Sequence, residues 1–599
     1  MPTYKTPLED MRFVLHEVLG AASLAELPGF EEATADLIDA VLEEGAKVAE
    51  NALLPLNQSG DQEGCVLENG VVRTPGGFKE AYAAFIEGGW TSMACDPAYG
   101  GQGLPETVHF AMEEMMCSAN MSFSMYPGLS RGAYDAIAAS ASDELKALYL
   151  PKLVDGTWSG TMCLTEPQCG TDLGLIRTVA TPNADGSFSI TGNKIFISAG
   201  EHDLTENILH LVLARLPDAP DGIRGISMFL VPKFLPDASN GDVRAGARNG
   251  VTCGSLEHKM GIRASATCAM NFDDATGWLI GAPHKGMRAM FVMMNAARLA
   301  VGIQGLAQAE VSYQNARDYA RERIQGRSVT GAKSADKPAD PIIVHPDVRR
   351  NLLRMKAFTE GARALALWMG MEIDRQKHHP DAKVRQEAED LVALLTPIVK
   401  AYFSDMGFEA ANAGMQVYGG HGYIQEWGME QFVRDARIAQ IYEGANGVQA
   451  LDLVGRKLGV GTGRLLRRFF HPLDQFLNEH RDHEVLAPFV EGMKRPFGML
   501  QMATATIAQR GLADPEEGAA AATDYLRLFA LVAMGYTWLR MIKVASEALP
   551  TANGRAGFYD SKIKTGQFFF ERMLPESAGC YFAVMAGKGS LMSLDEAAF

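Results

Sequence analysis

The sequence predicts a mainly helical α+β protein in which one β segment interrupts long helical stretches. Apolar residues recur at helical period before residue 158. Short strand-like runs separated by Gly and Asp turns fill 159–272, and helical periodicity returns from 286 to the C-terminus. The order is helical, β, helical, helical, with expected domains 1–158, 159–280, 281–458 and 459–599. At 599 residues the chain is too long for one ordinary hydrophobic core.

The elements follow from local chemistry. Pro28-Gly29-Phe30-Glu31-Glu32-Ala33 reads as a helix start with early acids, and 36–53 carries apolar residues at helical spacing. Thr74-Pro75-Gly76-Gly77 opens a segment running to Gly88. Residues 99–105 make a rigid turn before a helix over 109–121, and Ser142-Asp143-Glu144 caps one ending near Leu153. The β segment is expected to be antiparallel, with Phe188-Ser189-Ile190, Leu209-His210-Leu211-Val212-Leu213 and Ile226-Ser227-Met228-Phe229-Leu230-Val231 as strands. Residues 287–322 suit one or two very long helices, and 326–341 is the clearest mobile loop. Helices resume at Pro346-Asp347. Beyond Gly459-Val460-Gly461 the chain is helical again, with 519–547 expected to bury one face.

A formal charge of -17 and the lack of a basic stripe exclude a dedicated nucleic-acid binder, while local arginines and backbone N–H groups still permit a phosphate-bearing ligand. The start Met1-Pro2-Thr3-Tyr4-Lys5 has no apolar signal region, and apolar runs fall short of the roughly 18 residues that span a bilayer. A cytoplasmic protein with no stable membrane insertion is expected. Eight irregularly spaced cysteines read as mostly buried thiols. Cys163 and Cys169 lack companions at metal-ligand spacing, as do His202, His210, His258 and His421, so no metal is expected.

Five stretches can carry chemistry. In Leu164-Thr165-Glu166-Pro167-Gln168-Cys169-Gly170-Thr171-Asp172, hydroxyls stand beside exposed backbone N–H groups at a turn. These suit the pyrimidine edge of a flat polar ring, or simply an ST turn. In Gly192-Asn193-Lys194-Ile195-Phe196-Ile197-Ser198-Ala199-Gly200 a strand points Phe196 and Ser198 the same way, which fits ring packing or a half-buried core strand. Arg298 and Arg323 lie on long helices, where a guanidinium can grip pyrophosphate or pair with an acid. Gln416-Val417-Tyr418-Gly419-Gly420-His421-Gly422 is costly as helix and suggests close backbone approach, by phosphates or by another helix. No dinucleotide or Walker fingerprint is present. Finally, Arg434-Asp435 leads to Gln440-Ile441-Tyr442-Glu443-Gly444-Ala445-Asn446-Gly447, where one carboxylate stands between an aromatic ring and a glycine. It can be a proton-abstracting base or an ordinary solvated glutamate.

Taken in this order and spacing, four of these stretches, 164–167, 192–200, 416–422 and 434–444, resemble the acyl-CoA dehydrogenase family over roughly residues 40–458. The opening Met11-Arg12-Phe13-Val14-Leu15, the 199–207 loop and the region beyond 460 resemble its large subgroup, close to this chain's 599 residues, which includes dehydrogenases of 3-methylmercaptopropionyl-CoA. The resemblance implies a helical, β-barrel and helical-bundle fold with an added C-terminal helical domain, FAD as cofactor, and electron-transferring flavoprotein as acceptor. It implies oxidation of a short to long acyl-CoA, or of 3-methylthiopropionyl-CoA, to the trans-2-enoyl-CoA. Glu443 then matches the base, with its pKa raised by burial, and the β-hydride passes to flavin N5. Leu164, Thr165, Phe196 and Ser198 match flavin-ring positions. Arg323, Gln416 and Gly420 match FAD pyrophosphate and adenosine positions, characteristically across a homodimer interface. Thr171, Arg298, Tyr442 and Gly444 match substrate or CoA positions. Ala445 and Gly447 depart from the hydroxyl residue and Gln often found there, and Phe196 replaces the commoner Trp. An acyl-CoA oxidase passing electrons to oxygen and a non-catalytic flavoprotein interaction module are the alternatives.

Overall fold

The computed structural model describes residues 2–239 and 242–599. The chain forms two compact units. One comprises Lys47–Leu104 and Ala119–Ala300, the other Met1–Ala46, Pro105–Ser118 and Val301–Phe599.

A seven-stranded sheet lies in the first unit: β1 (Trp158–Cys163), β2 (Val179–Pro182), β3 (Phe188–Ser198), β4 (Asn207–Arg215), β5 (Ile226–Pro232), β6 (Val251–Leu256) and β7 (Thr267–Ile280). The pairings β7–β3, β3–β2, β2–β4, β4–β5 and β5–β7 close into a ring, with β6 added to β7 and β1 to β4. Closure makes this a small barrel, filled by Ile190, Ile197, Val212, Ala214, Phe229, Val231 and Phe272 among others. The antiparallel expectation needs correction. β4 runs parallel to β1, from Trp158↔Asn207 to Cys163↔Val212, and meets β2 in parallel at Val179↔Arg215. The reason lies in β4 itself, which is buried on both faces from Asn207 to Ala214. A strand with no polar face reads as a continuous apolar run and need not pair by hairpins.

Long helices build the second unit, including Pro346–His378, Ala382–Tyr418, Met429–Ile438, Ala487–Ala513 and Pro515–Ala548. The last is buried around its circumference, with Tyr525, Phe529 and Trp538 inside, so the expectation of one buried face was too narrow. A Cβ at Gly361 would stand 2.7 Å from Trp538 Nε1 and Met534 Cε, and Trp538 Nε1 donates to Ala357 O at 3.1 Å. That glycine lets two helices meet closely. The C-terminal extension is also held by buried charge. Arg363 binds Glu114 at 2.5 Å, Glu310 at 2.9 Å and Asp10, while Lys562 binds Asp10 and, at 2.9 Å, Glu360. Burial pushes Glu114 up to about 7 against the pull of Arg363.

Three local expectations change. Residues 28–33 form turns, because Gly29 adopts φ 89° and its N–H bonds the Glu31 carboxylate; the helix begins at Ala35. The helix expected over 109–121 runs Glu106–Ser140. It breaks at Asn120, whose side chain accepts from Phe123 N at 3.0 Å and restarts it. The loop 326–341 is pinned by fully buried Asp340, which accepts from Ser328 N, Lys333 N and Ser334 N at 2.7–2.9 Å and from Arg327 at 3.2 Å.

Among the described residues three helices, Gly286–Glu322, Ala382–Tyr423 and Pro515–Thr551, are long and apolar enough by length and composition to cross a bilayer. Counting uninterrupted apolar runs missed them, since isolated polar residues break each run. Their most apolar windows are 61%, 78% and 83% buried within the protein. All eight cysteines are reduced, and seven are buried.

Candidate functional site

In the barrel unit the chain leaves β1 through Leu164-Thr165-Glu166-Pro167. Glu166, only 3% exposed, accepts from Lys194 Nζ at 2.8 Å, Thr178 Oγ1 at 2.6 Å, Thr178 N at 3.1 Å, Arg177 N at 2.6 Å and Gln168 Nε2 at 2.6 Å. Lys194, fully buried on β3, also donates to Leu164 O at 3.1 Å, and Ile195 N donates to Thr165 O at 2.9 Å. Burial opposes ionisation of Glu166, but the Lys194 ammonium and the other donors outweigh it and hold the carboxyl at about 2. Half-buried Leu164 and Thr165 are thus fixed along β3. Glu166 and Lys194 were passed over in the sequence. The available signal was a lysine in register with Ile190 on the inward face of an alternating strand.

Phe196 is placed by a bulge. Ile197 faces Cys268 and Lys194 faces Met270, so Ile195 and Phe196 together oppose Ala269 alone. Phe196 adopts φ 59° there and is 59% exposed. A bulge that turns an aromatic ring outward at a left-handed position re-aims that side chain deliberately. Ser198, half-buried, ends the strand, and its carbonyl accepts from Thr161 Oγ1 at 2.6 Å. Thr171 is exposed just before a turn capped by Asp172, which accepts from Gly174 N at 3.0 Å. Arg298 is buried, lies 5.9 Å from the Phe291 ring centroid and donates to Asn295 at 3.3 Å.

In the helical unit, Arg323 is exposed just past its helix, where its carbonyl accepts from Ile342 N at 2.8 Å. Exposed Gln416 ends the helix Ala382–Tyr418, and its carbonyl accepts from Gly419 N. The glycines that follow separate into two kinds. A Cβ at Gly422 would stand 2.3 Å from Met415 O, whereas one at Gly420 would meet no atom within 4 Å. Gly422 serves internal packing; Gly420 faces open space. His421 is held by Tyr319 OH at 2.8 Å and stacks on Trp427 with centroids 4.5 Å apart.

Glu443 lies in a turn of its own. It adopts φ 55° and Gly444 φ 92°, and both are half-buried. Tyr442 OH donates to Gln304 Oε1, and Gln449 Nε2 donates to Gly444 O at 3.4 Å. Asn446 and Gln440 bind the neighbouring helix through Asp405, each at 2.7 Å. Arg434 pairs with Glu430 on its own helix, at 3.0 Å through Nη2. Asp405 and Asn446 were not singled out in the sequence, where nothing marks them.

The chain is similar to known proteins along nearly its whole length. The profile described as Acyl-CoA dehydrogenase, N-terminal domain, matches 41–157; the middle domain matches 161–275 and the C-terminal domain 284–458. Acetyl-CoA dehydrogenase C-terminal like matches 469–595. The 3-methylmercaptopropionyl-CoA dehydrogenase of Ruegeria pomeroyi is 43% identical, covering 99% of each chain. The chain belongs to the acyl-CoA dehydrogenase family. The broad-specificity linear acyl-CoA dehydrogenase FadE5 of Mycobacterium tuberculosis is 33% identical over 100% of each chain. The fold matches Caenorhabditis elegans ACDH-11, solved with C11-CoA, at a TM-score of 0.78 and 20% identity, over 96% of this chain and 92% of that one.

The enzyme is therefore an FAD-dependent oxidoreductase that dehydrogenates an acyl-CoA thioester between Cα and Cβ. An acceptor of the electron-transferring-flavoprotein type is consistent with the family. Two features fit the cofactor. Phe196 offers a ring face turned out by the bulge, and Gly420 leaves backbone open to a phosphate or ribose where any Cβ would be tolerated by the protein alone.

Proposed function

We propose that Glu443 is the base that removes the α-proton of the acyl-CoA. The observation that carries this reading is its left-handed turn, an unusual conformation for a glutamate, which costs about 1–2 kcal/mol and is restrained on both sides. The Glu443 carboxylate takes the α-proton, and its backbone N–H donates to the thioester carbonyl as enolate charge develops. Bound FAD would supply the acceptor for the β-hydrogen and its electron pair, so that the product is the trans-2-enoyl-CoA. Leu164, Thr165, Phe196 and Ser198 hold the flavin ring, while Arg323, Gln416 and Gly420 hold its pyrophosphate and adenosine. Thr171, Arg298, Tyr442 and Gly444 contact substrate or CoA. Substituting Glu443→Gln should retain flavin and abolish its bleaching by substrate; bleaching near wild-type speed would exclude Glu443.

The substrate is a linear acyl-CoA that includes the 3-methylthiopropionyl thioester, a reading supported by the names of the two relatives above. Turnover across thioesters of graded length with one 3-methylthio member tests it. Electron-transferring flavoprotein is the acceptor, and peroxide yield against acceptor reduction tests that. The enzyme is a cytoplasmic homodimer without stable membrane insertion, organised as domains 1–158, 159–280, 281–458 and 459–599. Exposed Tyr423 and Ile424 beside Gly420 support the dimer, which sedimentation would measure.

A further inference from the structure

The helix Ala382–Tyr418 holds the Glu443 turn at both ends. Asp405 Oδ1 accepts from Gln440 Nε2 at 2.7 Å, three residues before Glu443, and from Asn446 Nδ2 at 2.7 Å, three residues after it. Asn446 N donates to Gln440 O at 3.1 Å and closes the turn on itself. Lys400, fully buried on the same helix, donates to Asn446 Oδ1 at 2.9 Å, and Ser404 Oγ accepts from Asn446 Nδ2 at 2.9 Å.

The chemistry of these groups fixes what can stand at 446. An ammonium only donates and a carboxylate only accepts. The side chain linking Lys400 to Asp405 must accept at one atom and donate at another, which a primary amide does. The same requirement fixes which way the Asn446 amide points. A turn with Glu443 at φ 55° relaxes once released, so its direction depends on this clamp.

We propose that Asn446 and Asp405 are positioning residues that aim the Glu443 carboxylate at the substrate α-carbon. The inference rests on Glu443 being the base. Its test follows proton removal without oxidation, using the holoenzyme in D2O and an acyl-CoA with sulfur at the β position, which has α-protons but no β-hydrogen. Deuterium then replaces the α-proton by way of the Glu443 carboxyl, and no electrons move. Asn446→Leu and Asn446→Asp should each slow exchange about 100-fold, the scale of a misplacement near 1 Å. Bound FAD and thioester affinity should stay near wild-type, and Asn446→Leu should leave the midpoint of the pH–rate profile in place. The double substitution Asn446→Asp with Asp405→Asn restores an acceptor for Lys400 and a donor–acceptor pair between 405 and 446. It should recover most of the exchange rate. Wild-type exchange in both single variants, or no recovery in the double variant, overturns the proposal. Persistence of exchange in Glu443→Gln would instead defeat the base assignment; its loss there with wild-type exchange at position 446 would defeat only the clamp.

Discussion

Removing one partner of the Glu166–Lys194 pair should open the turn at Thr165, and the two removals should differ. Both side chains are buried, at 3% and 0% exposure, so solvent screens little of the interaction. Breaking such a pair from one side costs about 3–5 kcal/mol. After Lys194→Met, Glu166 keeps four donors from Thr178, Arg177 and Gln168. That places its cost near the lower end, about 3 kcal/mol, or about 100-fold at 1.4 kcal/mol per decade. After Glu166→Met, a buried ammonium retains Leu164 O, and the cost moves to about 5 kcal/mol, more than about 1,000-fold. Replacing both by methionine should be milder than Glu166→Met alone, since no charge is left buried. Native-state amide exchange over 164–179 and 188–198 measures this, with Ile195 N–H as the local reporter. Unchanged protection in Lys194→Met, or greater damage from it than from Glu166→Met, would refute the reasoning.

Other outcomes are as definite. Glu443→Gly should remove about 1–2 kcal/mol of left-handed strain, offset by about 0.5–1 kcal/mol of glycine chain entropy. Its thermal midpoint should therefore equal or slightly exceed that of Glu443→Gln, although neither variant is bleached by substrate. Gly422→Ala should lower the midpoint, at a cost of about 1–3 kcal/mol for forcing a methyl against Met415 O. Gly420→Ala should leave stability within about 0.5 kcal/mol yet speed FAD loss, as followed by flavin fluorescence on dilution. Asp340 is held below its ordinary 3.8, at about 2, first by Ser328 N–H and despite burial. A depressed folded pKa contributes stability that is fully present above 3.8 and lost as pH falls toward about 2. Exchange of the Ser328, Lys333 and Ser334 amides should accelerate within that window, and at neutral pH in Asp340→Ala.

Much of the molecule was legible in local pattern. The 3.6-residue period marked Pro346–His378, and Ser142 was a correct cap, accepting from Leu145 N at 3.4 Å. Short runs marked β4 and β5. Errors arose where a distant residue decided the outcome. The loop 326–341 has a flexible composition, but buried Asp340 organises it. The strand at Phe196 alternates on paper, but its partner supplies one residue fewer, and that bulge turns the ring outward.

The sequence by itself determined the order of helical and β segments, the family motifs and the identity of the carboxylate at 443. Each of these is written in neighbouring residues, within reach of one helical turn or one strand. Tertiary structure alone decided how those residues are aimed: the 28-residue reach from Glu166 to Lys194, the 41-residue reach from Asp405 to Asn446, and the register that releases Phe196. Those depend on which donor meets which acceptor after the chain has folded back, and hydrogen-bond complementarity between distant segments leaves no periodicity to read.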